Sequence, residues 1–484
     1  MNSIRLVDFV KAYDVRGLVP EQLSTGVARA LGRAFAEHVA LLDGADTVVV
    51  GHDMRPSSPE LVSAFADGLS AQGVNALLIG LCSTDGLYYA SGTMGLPGAM
   101  FTASHNPAQY NGIKLCRAGA RPISTDTGLA EVRDRAQEWL DDREPPTVQT
   151  PGTVEERDVL AEYATFLRGL VDLSGIKPLK VVVDAGNGMG GYTVPAVLGT
   201  GGGLPQLPLE ISGLYFELDG TFPNHPANPL EPANLVDLQA AVREQGADLG
   251  LAFDGDADRC FVVDERGGPV SASAVTALVA VREIQRSVDA GASAADIKVV
   301  HNLISSRAVP EIIAENGATA VRTRVGHSFI KSDMADNEAV FGGEHSAHYY
   351  FKDFWYADTG MLAAMHVLAA LGVDDRPLSQ VMREYSRYTA SGEINSTVHD
   401  KEAATYRVRE WALAQAGVVE DTLDGSTFTH EETGDAPMWW LNVRGSNTEP
   451  LLRLNVEAAD DATMIELRDE ALSLIRRTDE SETR

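Results

Sequence analysis

The pattern of apolar and polar positions follows one grammar through most of the chain. Short apolar runs bounded by Gly, Pro or acidic residues predict buried strands, and longer stretches with helical spacing separate them. Strands are predicted over 47–51, 74–80 and 97–101, with a helix over 58–72 that Ser57 or Ser58 caps and Glu60 supports in its first turn. The same order returns as a helix over 154–171, strands at 180–184 and 206–211, a helix over 234–245 and a strand at 248–253. A third round has a helix over 274–287, a strand at 298–302, a helix over 307–316 and a strand at 339–341. Alternation of this kind implies βαβ units with parallel strands. The polar, proline-bearing stretch 141–152 reads as a linker, and no sequence repeat is legible. After about Gly372 the texture changes, with strands at 439–443 and 451–456 bracketing a loop and an amphipathic helix over 462–477. The expected fold is therefore α/β: three similar mixed α/β domains plus a smaller C-terminal α+β domain, bounded as 1–150, 151–258, 259–373 and 374–484.

Length and charge sharpen that picture. The chain of 484 residues is too long for a single core. A formal net charge of −30 argues against nucleic acid or an anionic membrane as partner, and no uncharged apolar run is long enough to span a bilayer. The three cysteines, Cys82, Cys116 and Cys260, imply no disulfide framework and suit a cytoplasmic protein. An anionic substrate would require the few Lys and Arg to gather in one cleft.

Five loops follow apolar runs and carry chemistry, and in open α/β sheets such loops gather ligands beyond the carboxyl ends of the strands. Thr102-Ala103-Ser104-His105-Asn106-Pro107, with Lys114 following, exposes a hydroxyl beside an imidazole and within reach of an ammonium, which suits a serine that accepts and donates a group. Read alone it is also an ordinary Asn-Pro turn. Near the N-terminus, Tyr13 and Arg16 precede Gly17, and a guanidinium matches phosphate oxygens in pairs. Asp254-Gly255-Asp256-Ala257-Asp258-Arg259 sets three carboxylates at alternating positions in a glycine-containing loop, a pattern for one hard cation. An EF-hand reading fails because Arg259 stands at its glycine position and the flanks are strand-like. Gly343-Glu344-His345-Ser346-Ala347-His348 offers groups that suit sugar hydroxyls, with Gly326-His327-Ser328 upstream. Arg444 and Ser446-Asn447-Thr448 form a nest for a phosphate dianion. The G-x-G-x-x-G of Gly186, Gly188 and Gly191 lacks a suitable acidic partner on the next strand and reads as a structural turn.

In this order the loops resemble the alpha-D-phosphohexomutase superfamily, most closely phosphomannomutase/phosphoglucomutase, over nearly the whole chain. The resemblance implies four domains around a central cleft and interconversion of hexose 6-phosphates and 1-phosphates of mannose, and of glucose, through a hexose 1,6-bisphosphate that also serves as activator. Phosphoglucomutase or glucosamine specificity and a magnesium-dependent sugar phosphatase are the alternatives, with a sugar-phosphate-binding protein without turnover disfavoured because Ser104, the three aspartates and Lys114 are all intact. It implies that Ser104 is the phosphoserine and that Asp254, Asp256 and Asp258, with a phosphoserine oxygen, hold one Mg2+. Arg259 would contact the phosphoryl group; Arg16, His105, Lys114 and His327 would serve the transfer. Tyr13, Glu344, Ser346 and His348 would bind the sugar, and Arg444, Ser446, Asn447 and Thr448 its distal phosphate. The partners implied are phosphorylated hexoses, with the protein a monomer or homodimer. Asn447 and His345 depart from the glucosamine-type pattern, and Ile304 stands where some relatives have a ligand-contacting Lys, with Arg307 or Arg324 as substitutes.

Overall fold

The strand-and-helix grammar folds into four sheets in the computed structural model, which describes residues 4–141, 148–434, 437–445 and 451–477. In the first sheet Thr47–His52 lies between Asn75–Leu81 and Gly98–Phe101, all parallel, and Tyr110–Arg117 returns antiparallel beside Gly98–Phe101. The second sheet repeats the plan: Leu179–Asp184 lies between Leu209–Leu214 and Leu249–Phe253, and Cys260–Asp264 returns. So does the third, with Lys298–Asn302 between Thr319–Thr323 and Phe341–Gly343, and Tyr349–Phe351 returning. The loop that makes the antiparallel return occupies the same place each time. Those three return loops carry Ser104, Asp254 to Asp258, and Glu344 to His348. The fourth sheet is antiparallel throughout its pairing, in the order Thr389–Thr397, Leu451–Ala458, Trp439–Gly445, Ser426–His430 and Val418–Asp421, with the helices Lys401–Leu413 and Asp461–Arg476 packed on it. Three mixed α/β units and a smaller C-terminal unit are thus present.

Several local expectations shift. The helix predicted over 154–171 is instead a strand, Val154–Glu156, followed by the helix Leu160–Leu170. Val154 to Glu156 pair in parallel with Asn75–Leu81 at the sheet edge, where exposed carboxylates discourage further strand addition. Phe341–Gly343 takes up the first glycines of what reads as a loop, and Leu209–Leu214 lies later than predicted. Ser57 and Ser58 do not cap their helix through side chains; Ser58 Oγ donates to Asp53 Oδ1 at 2.8 Å instead. Of the linker, residues 142–147 lie outside the described residues, while Gly152 N donates to Ser70 O at 2.9 Å. The hairpin of Leu249–Phe253 and Cys260–Asp264 belongs to the second sheet together with Pro269–Val270, so a division after residue 258 falls inside it.

One hydrophobic cluster runs through all of the first three units, from Val49 and Met100 through Val183 and Phe253 to Val299 and Phe341. The other face of the first sheet has its own core around Phe35, Phe65 and Phe101, and the fourth unit has a separate one around Phe428, Leu441, Leu454 and Leu467. Among the described residues no helix is long and apolar enough to cross a membrane.

Burial in the third sheet also sets a pH response. His301 has its imidazole pKa lowered to about 4 from the ordinary 6.5, chiefly by burial. The unfolded chain therefore takes up a proton between those values that the folded protein refuses, so this residue's contribution to stability falls as pH drops from 6.5 towards 4. In urea titrations, His301→Asn is expected to lose less stability than the unsubstituted chain between pH 7 and pH 5.

Candidate active site

The three return loops meet. Ser104 sits at the turn after Gly98–Phe101 with φ +49°, a left-handed conformation that costs a non-glycine residue about 1–2 kcal/mol. Its N–H donates to Thr102 Oγ1 at 2.8 Å, and its Oγ donates to Asp254 Oδ2 at 2.8 Å. The two backbones interlock: a Cβ on Gly255 would come within 2.3 Å of Ser104 O, and one on Gly188 within 2.7 Å of Gly255 O. The glycines of the G-x-G-x-x-G stretch therefore serve a close packing of loop on loop, with Met189 N donating to Gly255 O at 2.9 Å.

Asp254, Asp256 and Asp258 are all buried and present carboxylate oxygens within 4.8 Å of one another. Lys114 Nζ reaches Asp256 Oδ2 at 2.7 Å and Asp258 Oδ2 at 2.5 Å, and Thr84 Oγ1 donates to Asp256 Oδ2 at 2.6 Å. Burial works against the lysine's charge, but these two carboxylates outweigh it and hold the ammonium well above the usual lysine range. Asp256 Oδ1 and Asp258 Oδ1 remain buried without a hydrogen-bond partner. Unpartnered buried oxygens are costly, and an all-carboxylate set of this kind fits a hard divalent cation. Burial pushes the Asp254 carboxyl up even though Arg259 clasps it through Nε at 3.0 Å and Nη2 at 2.9 Å.

Arg259 Nη2 also donates to His105 Nδ1 at 2.6 Å, which engages the nitrogen facing Ser104 Oγ at 3.2 Å. Burial, then the Arg259 and Arg16 charges, keep His105 neutral, well below the ordinary histidine range. Arg16 bonds Asp14 Oδ2 and Asn106 Oδ1, each at 2.7 Å, and so joins the Ser104 loop. In the third loop Ser346 Oγ lies 3.1 Å from Glu344 Oε2 and 3.0 Å from His348 Nδ1. His348 Nε2 stands 3.7 Å from Asp258 Oδ1, so this loop meets the acidic one. Burial lowers the His348 pKa, but Glu344 and Asp258 outweigh it and raise it above the ordinary value. His327 is the reverse case: burial, then Lys331, lower it to about 4, its Nε2 is unpartnered, and the Tyr13 ring meets it edge-on at 4.1 Å. Serine, carboxylates, ammonium, guanidinium and imidazoles from three sheets thus surround one spot, an arrangement able to neutralise a transferring phosphoryl group.

Of the fourth loop, Arg444 lies among the described residues. Arg444 Nη2 bonds Glu393 Oε2 at 2.5 Å, and Ser446, Asn447 and Thr448 lie outside the described residues. Beside it a cavity of about 190 Å3 between the third and fourth units is lined by His345, Ile304, Tyr388 and Trp440. Neither candidate for the missing lysine turns to it: Arg307 pairs with Glu311 at 2.9 Å and Glu431 at 2.5 Å, and Arg324 lies 5.0 Å from the Phe329 ring centre.

Models of phosphoglucomutase/phosphomannomutase alpha/beta/alpha domains I, II and III and of its C-terminal domain match residues 8–141, 161–268, 273–388 and 393–474. The chain belongs to the phosphoglucomutase/phosphomannomutase family. It is similar to the phosphohexose mutases of Xanthomonas campestris pv. campestris, 40% identical over 96% of this chain and 98% of that protein. The phosphomannomutase of Escherichia coli K12 is 37% identical over 96% of this chain and 97% of its own. The crystal structure of a phosphoglucomutase/phosphomannomutase family protein from Burkholderia thailandensis superposes with a TM-score of 0.83 at 29% identity, covering 98% of each chain. As a member of the family, the chain is an enzyme of the mutase type.

Several residues that shape the site of this phosphoglucomutase/phosphomannomutase family member escape a reading by motif. Thr84 and Asp85 open the helix Thr84–Met94; Thr84 holds Asp256, while Asp85 accepts from Tyr163 OH at 2.8 Å and Thr359 Oγ1 at 2.7 Å, tying three units together. Lys331 pairs with Asp358 at 2.6 Å and lies 4.2 Å over the Tyr88 ring. Asp53 and Arg55 follow Thr47–His52, the strand-to-loop position that marks the other functional loops, and that was the available signal.

Proposed function

We propose that the chain interconverts the 6- and 1-phosphates of mannose and of glucose through a phosphoserine at Ser104 and a hexose 1,6-bisphosphate. One observation carries the reading: Ser104 Oγ contacts Asp254 where the equivalent loops of three separate sheets converge. Phosphoryl transfer needs positioning and charge neutralisation more than covalent chemistry by the protein. In the first half-reaction the serine O–P bond breaks as a new P–O bond forms to the free hydroxyl of a hexose phosphate. His327, neutral and with Nε2 unpartnered, takes that hydroxyl's proton, and the departing Ser104 oxygen takes one from the Lys114 ammonium. Lys114, Arg259 and Arg16 surround the phosphoryl group with positive charge, while His105, engaged by Arg259, holds the loop. Glu344, Ser346 and His348, joined through Ser346 Oγ, orient the sugar hydroxyls. The bisphosphate then reverses its ends, and Ser104 takes back the other phosphate. Asp254, Asp256 and Asp258 would hold Mg2+, which supplies Lewis-acid neutralisation of phosphoryl oxygens when bound. Arg444 with Ser446, Asn447 and Thr448 would receive the distal phosphate. Free bisphosphate serves as activator by recharging Ser104, and the three buried free thiols suit a cytoplasmic protein.

The reversal limits sugar choice. Contacts must suit both orientations, so Glu344 and Ser346 read the hydroxyls at C3 and C4, which stay central. The C2 hydroxyl, where mannose and glucose differ, changes place and lacks a fixed partner. In a coupled assay with catalytic hexose bisphosphate, mannose 1-phosphate and glucose 1-phosphate are expected to show kcat/KM within about 200-fold of each other. Glu344→Gln should depress both activities together. A preference of several thousand-fold, or loss of one activity alone, would mean that some residue reads C2.

A further inference from the structure

Arg55 is almost completely buried, and its guanidinium uses all five of its N–H donors. Nε donates to Asp53 Oδ2 at 3.2 Å. The other four bonds go to backbone carbonyls of the serine loop: Nη1 to Pro107 O at 2.9 Å and Tyr110 O at 2.8 Å, Nη2 to Ser104 O at 2.9 Å and Asn106 O at 2.6 Å. The Asp53 that anchors it is itself fixed, accepting from Arg55 N at 3.0 Å and Ser58 Oγ at 2.8 Å. From the second unit the Phe222 ring lies 5.2 Å from the guanidinium carbon, and Gly220 packs so closely that a Cβ there would come within 2.6 Å of Arg55 Cα.

This is more than a buried ion pair. Four carbonyls drawn to one planar cation cannot turn independently, and the turn they define is the one that puts Ser104 at φ +49°. With the Ser104 carbonyl pinned inward, its side chain leaves on the opposite course, towards Asp254. We infer that Arg55 is a positioning residue that fixes the direction of Ser104 Oγ through these four carbonyls, with Phe222 sealing the guanidinium from the side of the second unit. The inference rests on the reading of Ser104 as phosphoryl carrier. A lysine cannot replace it, because an ammonium has three donors and no plane.

The test compares the unsubstituted enzyme with Arg55→Lys, Arg55→Ala and Phe222→Leu, each checked for folding by circular dichroism and thermal melting. Turnover of hexose 1-phosphates by the unsubstituted enzyme comes first; its absence would sink the assignment of Ser104 and leave the clamp to be judged by exchange alone. For folded Arg55→Lys, kcat is expected to fall about 10²-fold, the scale of a roughly 1 Å misplacement, while KM changes less than about threefold because the sugar is held by other units. Amides of residues 104–112 should exchange with solvent at least about tenfold faster, with the rest of the chain unchanged. Methylguanidinium should restore part of the activity of Arg55→Ala where equal concentrations of urea do not. If the arginine variants fail to fold, Phe222→Leu decides, with about a tenfold loss of kcat at constant KM expected once water competes for the carbonyls. A folded Arg55→Lys with kcat within about threefold of the unsubstituted enzyme and unaltered loop exchange would overturn the inference, as would an unchanged kcat in Phe222→Leu when that variant decides.

Discussion

Ser104→Ala is expected to remove mutase activity almost entirely, by roughly 10⁴-fold or more, because the proposed phosphoryl carrier is gone and nothing beside it can substitute. His105 cannot, since its Nδ1 is occupied by Arg259, and Thr102 Oγ1 is bound to Ser104 N. The fold should survive. Alanine keeps the same Cβ at the same left-handed turn, the four carbonyl bonds from Arg55 are untouched, and the losses are the 2.8 Å bond to Asp254 and the 3.2 Å contact with His105 Nδ1. Asp254 still has Arg259 as partner, so the melting temperature should move little. Intact mass after incubation with hexose bisphosphate should show one phosphoryl adduct on the unsubstituted chain and none on the variant. Measuring free phosphate alongside isomer also separates a mutase from a phosphatase: isomer should dominate, and both should vanish together in the variant. Near-normal turnover by Ser104→Ala would remove the serine from the reaction.

Asp256→Asn is expected to lower kcat by about 10²–10³-fold, the usual effect of losing one group that stabilises transition-state charge. Asp256 holds a central place: Oδ2 accepts from Lys114 and Thr84, while Oδ1 is buried and unpartnered. The amide keeps the shape but removes one of three negative charges, which weakens a divalent cation and leaves the Lys114 ammonium less well balanced. Two signatures follow. The magnesium concentration for half-maximal rate should rise, and kcat should stay depressed at saturating magnesium, with KM for the sugar phosphate little altered. An unchanged kcat at low magnesium would show that this loop is structural.

What could be read from the sequence divides along a physical line. The loops of Ser104, Asp254 and Glu344 announce themselves because charged and hydroxyl side chains follow apolar runs, and side chains are what a sequence spells out. Arg55 is marked only by its place after a strand, because its partners are mostly backbone carbonyls, which every residue possesses, lying 49 to 55 positions away. Lys331 carries no motif, and only the fold sets it between Asp358 and Tyr88. Val154 to Glu156 carry helix-friendly glutamates, and only an open sheet edge makes them a strand. The threefold repetition of strand order leaves no trace in residue identities, since register and topology tolerate almost any apolar side chain. Ser446, Asn447 and Thr448 remain a reading of sequence, outside the described residues.

The distribution of the hydrophobic cores has a thermodynamic consequence. The first three units share one continuous apolar cluster and the buried Asp85 junction, whereas the fourth keeps its own core. Cooperativity follows contiguous burial, so the three units are expected to melt as a single block, and the fourth, joined to the third through the small cluster of Leu303, Ile304, Met438 and Trp440, to open separately. The half of the site proposed to carry the phosphoryl group is thereby mortised into the largest continuous core, while Arg444, which would greet the far end of the substrate, rides on the unit with a smaller core of its own. Rigidity is spent where atoms are exchanged, and latitude is left where a sugar must let go, turn round and be caught again.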